Sequence, residues 1–238
     1  ETALDLTIDG DVARATFKTD SGLNVLSSHV LDRIAEVAAE IKTTSNVRFL
    51  VLQAEGKVFV AGANIKELSN LDSTGAAELS NRGNQAFDAI ADLPCITIAR
   101  LHGAALGGGL EVAMACDFLV ALPTAKLGLP ETSLGLVPGW KGISRLSARM
   151  GISAAKRLMF SASVIDGTEA HRIFVWGGFA EVTSEGLTIL AEEAVPMDDI
   201  DVEELATRVK DFEEDVADYT DAEKREEAKD RLWHIQQI

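Results

Sequence analysis

Apolar and polar positions alternate near the start of the chain and then change to a helical spacing. Residues 4–8 and 12–17 are rich in β-forming side chains, and Asp9-Gly10 between them is typical of a two-residue hairpin turn. After this hairpin, apolar residues recur every three or four positions, which predicts an amphipathic helix with Ser27 or Ser28 as its cap. We therefore expect a β-hairpin followed by a helix.

Further along, short apolar segments alternate with helical patterns. The predicted strands cover residues 48–53, 96–99 and 118–121. A helix is expected to end at Pro94, and another to begin directly after the glycines that follow the second of these strands. Alternation of strands and helices is typical of a largely parallel sheet covered by helices, so the predicted fold class is α/β.

The strand signal weakens beyond Thr124. Two short helices separated at Gly151 are expected over 146–160, then a helix over 168–174 and a last short strand over 180–182. From 201 onward the chain is acidic, with thinly spread apolar positions at helical spacing. This part is interpreted either as a solvated helical tail or as a helix pair whose narrow apolar stripe docks on a neighbouring subunit.

Composition limits the possible partners. The 238 residues suit one large domain or a core with a helical appendage, and 47 % of them are hydrophobic. With 22 basic and 38 acidic residues the net charge is −16, which disfavours binding to nucleic acids or anionic membranes. No segment approaches the ~18 apolar residues of a membrane span, and no signal-peptide pattern opens the chain.

The two cysteines, Cys95 and Cys116, lie in apolar segments and are expected to be buried thiols in a reducing compartment, which favours a cytoplasmic location. Because the first residue is Glu1, a larger parent polypeptide is also compatible with the sequence.

The most informative segment runs from Ala104 to Asp117, where three consecutive glycines lead into a helical pattern with Glu111 in its first turn. Glycines let a ligand approach the backbone N–H groups at the start of a helix. Such N–H groups stabilise an oxygen that gains negative charge. A glutamate beside them can move a proton, so the segment predicts an enzyme with an oxyanion site.

This glycine segment resembles that of the crotonase (enoyl-CoA hydratase/isomerase) superfamily. Four further segments match the same family in order: 58–67 (VFVAGANIKE), 127–131 (LGLPE), 134–139 (LGLVPG) and 165–170 (IDGTEA). One glycine-rich loop would be a weak signal, whereas five ordered segments are a specific one. The likeness covers about residues 4–185.

The resemblance implies coiled ββα turns in a catalytic core over residues 1–185. It implies a helical C-terminal segment, 186–238, that caps the acyl pocket and builds a trimer or a pair of trimers. The substrate would be an acyl thioester of coenzyme A. Coenzyme A would then be part of the substrate, and neither a metal nor a separate cofactor is expected.

The resemblance also assigns binding residues. Two backbone N–H groups, those of Ala61 and Gly108, would stabilise the enolate oxygen that develops on the thioester. The matching positions that would line the substrate are Gly62, Ala63, Asn64, Ile65, Lys66, Gly107, Gly109 and Pro130. Asn64 stands where the family often has aspartate.

Two carboxylates match the catalytic positions of the family. Glu111 and Glu131 are both glutamate, as in the hydratase branch, and a pair of carboxyls can hold a water molecule and divide its proton traffic. The leading hypothesis is therefore syn addition of water to a 2-enoyl thioester, with Glu131 protonating the α-carbon and Glu111 activating water. Alternatives on the same scaffold are isomerisation, decarboxylation, thioester hydrolysis, and acyl-CoA binding without turnover.

Four more residues have two interpretations each. Lys57 and Lys66 either bind the phosphates of coenzyme A or are solvated surface lysines. His102 is expected to be a hydrogen-bonded residue at a strand end rather than a base. Trp140 stands where the family often has a small residue, and it is either a wall of the acyl pocket or a side chain packed against the next helix.

Overall fold

The computed structural model describes residues 1–168, residue 170, and the backbone of two further strands, Phe179–Thr183 and Gly186–Leu190. All structural statements below concern these residues.

The described part of the chain alternates strands and helices. The strands are β1 (Ala3–Asp9), β2 (Val12–Lys18), β3 (Phe49–Ala54), β4 (Val58–Val60), β5 (Ile96–Leu101), β6 (Ala104–Leu106), β7 (Phe118–Ala121), β8 (Lys126–Gly128), β9 (Ile165–Asp166), β10 (Phe179–Thr183) and β11 (Gly186–Leu190). The helices are α1 (Ser28–Thr43), α2 (Ile65–Leu68), α3 (Ser73–Ala91), α4 (Gly108–Ala113), α5 (Gly142–Met150) and α6 (Ile152–Phe160), and Pro130–Leu134 forms a 3₁₀ turn. This is the α/β fold class that the sequence predicts.

The larger sheet has seven strands in the order β1-β2-β3-β5-β7-β10-β11. Strands β2, β3, β5, β7 and β10 are parallel to one another, while the hairpin β1–β2 and the pair β10–β11 are antiparallel. The central strands are linked by helical crossovers, as parallel strands require.

A second, smaller sheet has four strands in the order β4-β6-β8-β9. Its first three strands are parallel, and β9 pairs antiparallel with β8. The strands are two or three residues long, yet β4, β6 and β8 each lead directly into a segment that the sequence analysis marked as functional. The small sheet therefore brings three distant sequence motifs to one place.

Helices α1 and α3 pack against each other beside the sheet. Helix α1 is capped by Ser27, whose hydroxyl accepts a hydrogen bond from Val30 N, and helix α3 is capped by Asp72, whose carboxylate accepts one from Gly75 N at 2.8 Å. Their apolar faces contribute fully buried side chains such as Ile34 and Phe87 to the core.

Most predicted elements are confirmed, including the hairpin, the Ser27 cap, the parallel strands, the two helices separated at Gly151, and the last strand. The small sheet was not predicted: β4, β6, β8 and β9 lie where the sequence suggested loops or no strand.

The C-terminal expectations are tested only in part. The helix predicted over 168–174 and the acidic region from 201 lie outside the described residues, apart from residues 168 and 170. At the predicted boundary, Gly186–Leu190 is a strand of the large sheet, paired antiparallel with β10. Among the described helices none is both long and apolar enough to cross a membrane.

Candidate active site

The glycine segment forms a tight turn from β6 into α4. Gly107 has a φ of 52°, a region that L side chains rarely adopt, and its N–H donates to Gly128 O at 2.9 Å. Its own carbonyl then accepts the N–H of Glu111 at 3.0 Å. Gly108 is the first residue of α4, and no acceptor for its N–H is found in the described part of the chain. The turn therefore presents one unpaired backbone donor beside the glutamate.

A second loop follows β4 and runs beside residues 24–26. Three backbone hydrogen bonds of 2.8 Å fix it: Ala61 N donates to Asn24 O, Leu26 N to Gly62 O, and Asn64 N to Leu26 O. The N–H of Ala63 is left without an acceptor among residues 1–168. The predicted oxyanion donor Ala61 is therefore wrong, because its N–H is already committed to Asn24, and the free donor of this loop is Ala63.

The residues after Ala63 start helix α2. Asn64 is the cap of this short helix, and its side-chain oxygen accepts hydrogen bonds from the N–H groups of Lys66 and Glu67. Ile65 lies at the cavity with 62 % of its surface exposed, while the Lys66 side chain is exposed and does not line the cavity. Asn64 thus has a local structural role that aspartate would also fill.

Glu111 is 2 % exposed, yet its carboxylate is well held. Its Oε1 accepts two backbone hydrogen bonds of 2.8 Å, from Trp140 N and from Gly142 N. Lys141 between them has a φ of 66°, and this left-handed residue turns both N–H groups towards the same oxygen. Burial raises the pKa of Glu111 to about 7, and the two N–H donors oppose that rise while the nearby Glu131 adds to it.

The turn that holds Glu111 is braced by one face of α3. Ser80 Oγ and Asn84 Nδ2 both donate to Gly139 O, at 3.3 and 3.2 Å. One turn further, the Asp88 carboxylate binds Lys141 Nζ at 2.5 Å and Arg145 Nη2 at 3.0 Å. These three α3 residues are four positions apart, so they share one helix face and together fix the 139–142 backbone.

Arg145 completes this brace. Its Nη1 donates to Trp140 O at 3.1 Å, which ties α5 to the same turn.

Glu131 lies in the 3₁₀ turn that follows β8. This turn is attached to α6 through Thr132 Oγ1, which donates to Met159 O at 2.7 Å. Glu131 Oε1 lies close to Gly107, since a Cβ there would be 2.9 Å from it. The other oxygen, Oε2, is buried and has no hydrogen-bond partner in the described part of the chain. Burial raises the pKa of Glu131 above its ordinary value.

Both glutamates and both free N–H groups border one largely apolar cavity of about 240 Å³. Of the predicted site residues, those that line it are Ala61, Gly62, Ala63, Ile65, Gly107, Gly108, Glu111, Pro130, Glu131 and Trp140. Asn64, Lys66 and Gly109 do not line it. Gly109 serves packing instead, because a Cβ there would be 2.0 Å from Val60 O.

Sequence reasoning missed one wall of the cavity and its support. Ala76, Leu79 and Ser80 of α3 line the cavity, and Asp88 and Arg145 brace the turn around Glu111. The four-residue spacing of Ser80, Asn84 and Asp88 on a helix was the available signal, but what this polar face contacts is a long-range property.

Other candidates have structural roles. His102 Nε2 lies 3.1 Å from Gly56 O, which confirms the hydrogen-bonded interpretation. Both cysteines are free thiols, and burial raises the pKa of Cys116 to about 12, so this thiol is unreactive at neutral pH. Within the described residues no group of three His, Cys, Asp or Glu side chains is arranged to hold a metal ion.

Known proteins resemble this chain in sequence and in fold. The model of the enoyl-CoA hydratase/isomerase family matches residues 7–229, which is most of the chain. The chain belongs to this family. Among its curated relatives, a probable enoyl-CoA hydratase of Bacillus subtilis is 41 % identical over 169 residues, which cover 71 % of this chain and 65 % of the relative. The mitochondrial methylglutaconyl-CoA hydratase of Mus musculus is 39 % identical over 69 % of this chain and 53 % of its own length.

The fold comparison agrees with the family assignment. An enoyl-CoA hydratase structure from Bacillus anthracis superposes with a TM-score of 0.71 at 25 % identity, covering 98 % of this chain and 90 % of that one. The chain spans about half to two thirds of the length of the curated relatives quoted above.

Proposed function

We propose that this family member is an enoyl-CoA hydratase, which adds water across the double bond of a 2-enoyl-CoA thioester to give a 3-hydroxyacyl-CoA. The observation that carries the proposal is the pairing of Glu111 and Glu131 at one cavity that also presents two unpaired backbone N–H groups. The relatives' hydratase names support the same reaction.

The two N–H groups would bind the thioester oxygen. Addition of water at the β-carbon places negative charge on this oxygen, and donors fixed in advance stabilise that charge without reorganisation. The donors in this proposal are Ala63 and Gly108, which come from separate loops and have no competing acceptor in the described part of the chain. Loss of one such donor costs about 10²–10³ in rate in other enzymes.

The two glutamates would divide the proton transfer. Glu111 as carboxylate accepts a proton from water while the water oxygen bonds to the β-carbon. The electron pair of the double bond moves to the α-carbon and the thioester oxygen. Glu131, protonated, then gives its proton to the α-carbon. The substrate gains one water, and a proton shift from Glu111 to Glu131 restores the starting state.

Their surroundings bear on these roles. Burial raises the pKa of both carboxyls, to about 7 for Glu111, and the two N–H donors oppose the rise there, so the carboxylate and the acid forms of Glu111 are both present near neutral pH. The buried Oε2 of Glu131 has no partner in the described structure, which favours the neutral form of that group. Because the two carboxyls interact, the pair titrates together, and the division of roles concerns the reacting state.

The reaction needs no metal or redox cofactor, and coenzyme A enters as part of the substrate. Its phosphates require local cations on a chain whose net charge is −16. Lys57 and Lys66 remain our candidates, because both are exposed beside the loop that contains Ala63.

Assembly into trimers or pairs of trimers and a cytoplasmic location complete the proposal. The family resemblance supports the former, and the free thiols Cys95 and Cys116 fit a reducing compartment.

The experiment is incubation with crotonyl-CoA, followed by absorbance of the conjugated thioester and by the mass of the product. We expect the absorbance to fall and the product to gain one water. An unchanged mass with a shifted double bond would indicate isomerisation, and binding without turnover would indicate a non-catalytic relative; either result contradicts the proposal.

A further inference from the structure

We propose that Trp140 forms the closed end of the acyl pocket and restricts the enzyme to short acyl chains of about four or five carbons. The inference rests on the proposed function and adds the substrate class to it. It is drawn from the geometry around the indole ring.

The cavity has an open side and a closed side. Three of its lining residues are mostly exposed, namely Ile65 at 62 %, Leu134 at 61 % and Val137 at 68 %, so they border the mouth. Glu111, Gly108 and Trp140 line the same cavity but are buried, and Trp140 is only 5 % exposed. Trp140 has the largest side chain among the buried lining residues, and it lies on the closed side.

The indole ring fits between two glycines. A Cβ at Gly108 would lie 2.4 Å from Trp140 Cζ3, and a Cβ at Gly83 of α3 would lie 2.2 Å from its Nε1. Any other residue at these positions would displace the ring. The absence of side chains at Gly83 and Gly108 therefore creates the space that the indole fills.

The ring is also held in place. Trp140 Nε1 donates to Leu79 O at 3.3 Å, and the ring packs edge-on against Phe87 with centroids 5.5 Å apart. Its backbone is fixed by the hydrogen bond from Trp140 N to Glu111. The ring is thus held by Leu79 and Phe87 and its backbone by Glu111, which opposes displacement of the ring by a longer substrate.

This position is where an acyl chain would extend. The thioester oxygen would bind at the N–H of Gly108, and the β-carbon would lie beside Glu111. The indole ring of Trp140 lies against Gly108, and the backbone N–H of Trp140 donates to Glu111. Carbons beyond the β-carbon therefore meet the ring within a short distance. The cavity volume of about 240 Å³ is also below the ~300–1,000 Å³ typical of small-molecule pockets.

The test measures kcat/KM for 2-butenoyl-, 2-hexenoyl- and 2-octenoyl-CoA with the unchanged protein and with Trp140→Leu and Trp140→Ala. The unchanged protein should prefer butenoyl-CoA. Both variants should raise the octenoyl-to-butenoyl ratio by at least about tenfold, since a single methylene in an apolar pocket alters specificity by about 10–200-fold. Trp140→Phe retains an aromatic ring and should shift the ratio least.

Phe17→Leu is the matched control. Phe17 is another fully buried aromatic residue with an edge-on partner, Phe59, at a centroid distance of 5.8 Å, but it does not line the cavity. This control should lower stability without altering the chain-length ratio. If Trp140→Leu unfolds, Trp140→Phe and the preference of the unchanged protein still decide the matter.

An unchanged ratio in folded Trp140→Leu, or a preference of the unchanged protein for octenoyl-CoA, would overturn the inference. If no thioester is hydrated, the proposed function fails, and calorimetry with butanoyl- and octanoyl-CoA tests the pocket separately. The inference is supported if the unchanged protein binds butanoyl-CoA more tightly than octanoyl-CoA and Trp140→Leu abolishes this difference. The same preference between the two ligands in both proteins would contradict it.

Discussion

Glu111 and Glu131 face the same cavity, but the chain holds them in different ways. Glu111 extends from a helix inside the core, and its Oε1 accepts two N–H groups from a turn that α3 and α5 brace. Glu131 sits on a short 3₁₀ turn at the edge of the small sheet, and its Oε2 has no partner in the described structure.

The carboxylate of Glu111 is therefore fixed in position, whereas that of Glu131 has more freedom to move. Burial raises the pKa of both groups; the N–H groups of Trp140 and Gly142 oppose the rise at Glu111, and the backbone N–H of Glu131 itself opposes it at Glu131. A base that must aim a water molecule benefits from fixed geometry. A general acid such as Glu131, which has fewer fixed contacts, can adjust its position as the α-carbon changes geometry during the reaction.

The largest expected effect is on turnover. Glu111→Gln and Glu131→Gln should each lower kcat by about 10²–10⁴, the range of general acid–base contributions. Thioester binding should persist in both, because the amide retains the size of the carboxyl and one acceptor oxygen. Product formation in timed assays measures kcat, and calorimetry measures binding of the thioester.

Glu67→Gln provides the control for this pair. Glu67 accepts a hydrogen bond from Ser28 N at 3.1 Å and does not line the cavity, so its amide variant should retain turnover. Near-normal turnover in either cavity variant would remove that glutamate from the proposed mechanism.

The next effect is on stability against pH. Glu111 has a pKa of about 7 in the folded protein against an ordinary value of 4.5, so folding favours its protonated form. Below pH 4.5 both states are protonated and the group has no effect. As the pH rises from 4.5 to 7 only the unfolded state releases the proton, and the folded state loses up to about 3 kcal/mol of stability.

Glu111→Gln removes this titration. Urea unfolding should show the variant gaining stability relative to the unchanged protein as the pH is raised from 5 to 8. Parallel stability curves for the two proteins would show that burial does not penalise the charge of Glu111.

The smallest expected effect concerns the brace. Asp88→Ala removes the contacts to Lys141 and Arg145 and should loosen the turn whose N–H groups hold Glu111. We expect kcat to fall roughly tenfold with little change in KM, less than the ~10² that a 1 Å misplacement can cost. Weaker N–H donation should also raise the pKa of Glu111, which moves the acidic limb of the pH–rate profile to higher pH.

Arg82→Ala is the comparison for the brace. It breaks an ion pair of 3.1 Å between Arg82 of α3 and Asp32 of α1, away from the turn. An equal change in kcat and pH profile for both variants would mean that α3 acts only through general stability.

The large sheet and its helices could be predicted because their patterns are long enough to read. The apolar spacing of α1 and its Ser27 cap are local properties, and so are the hairpin turn at Asp9-Gly10 and the helix break at Gly151. The strands of the small sheet are two or three residues long, too short for any periodicity, and they exist because of pairing between distant segments.

The same limit explains the error at Ala61. Sequence motifs located the loop, but which N–H faces the cavity depends on its pairing with residues 24–26. That pairing commits Ala61 and leaves Ala63 free. The register of two segments more than thirty residues apart cannot be derived from either one alone.

The sequence by itself determined the family, the α/β class, the glycine turn and the two glutamates, because each is encoded by residue types at short spacing. Only the tertiary structure decided how those glutamates differ, which N–H is free, and where the indole of Trp140 closes the cavity. These are contacts between elements distant in the chain, and they arise when the small sheet and α3 bring the motifs together.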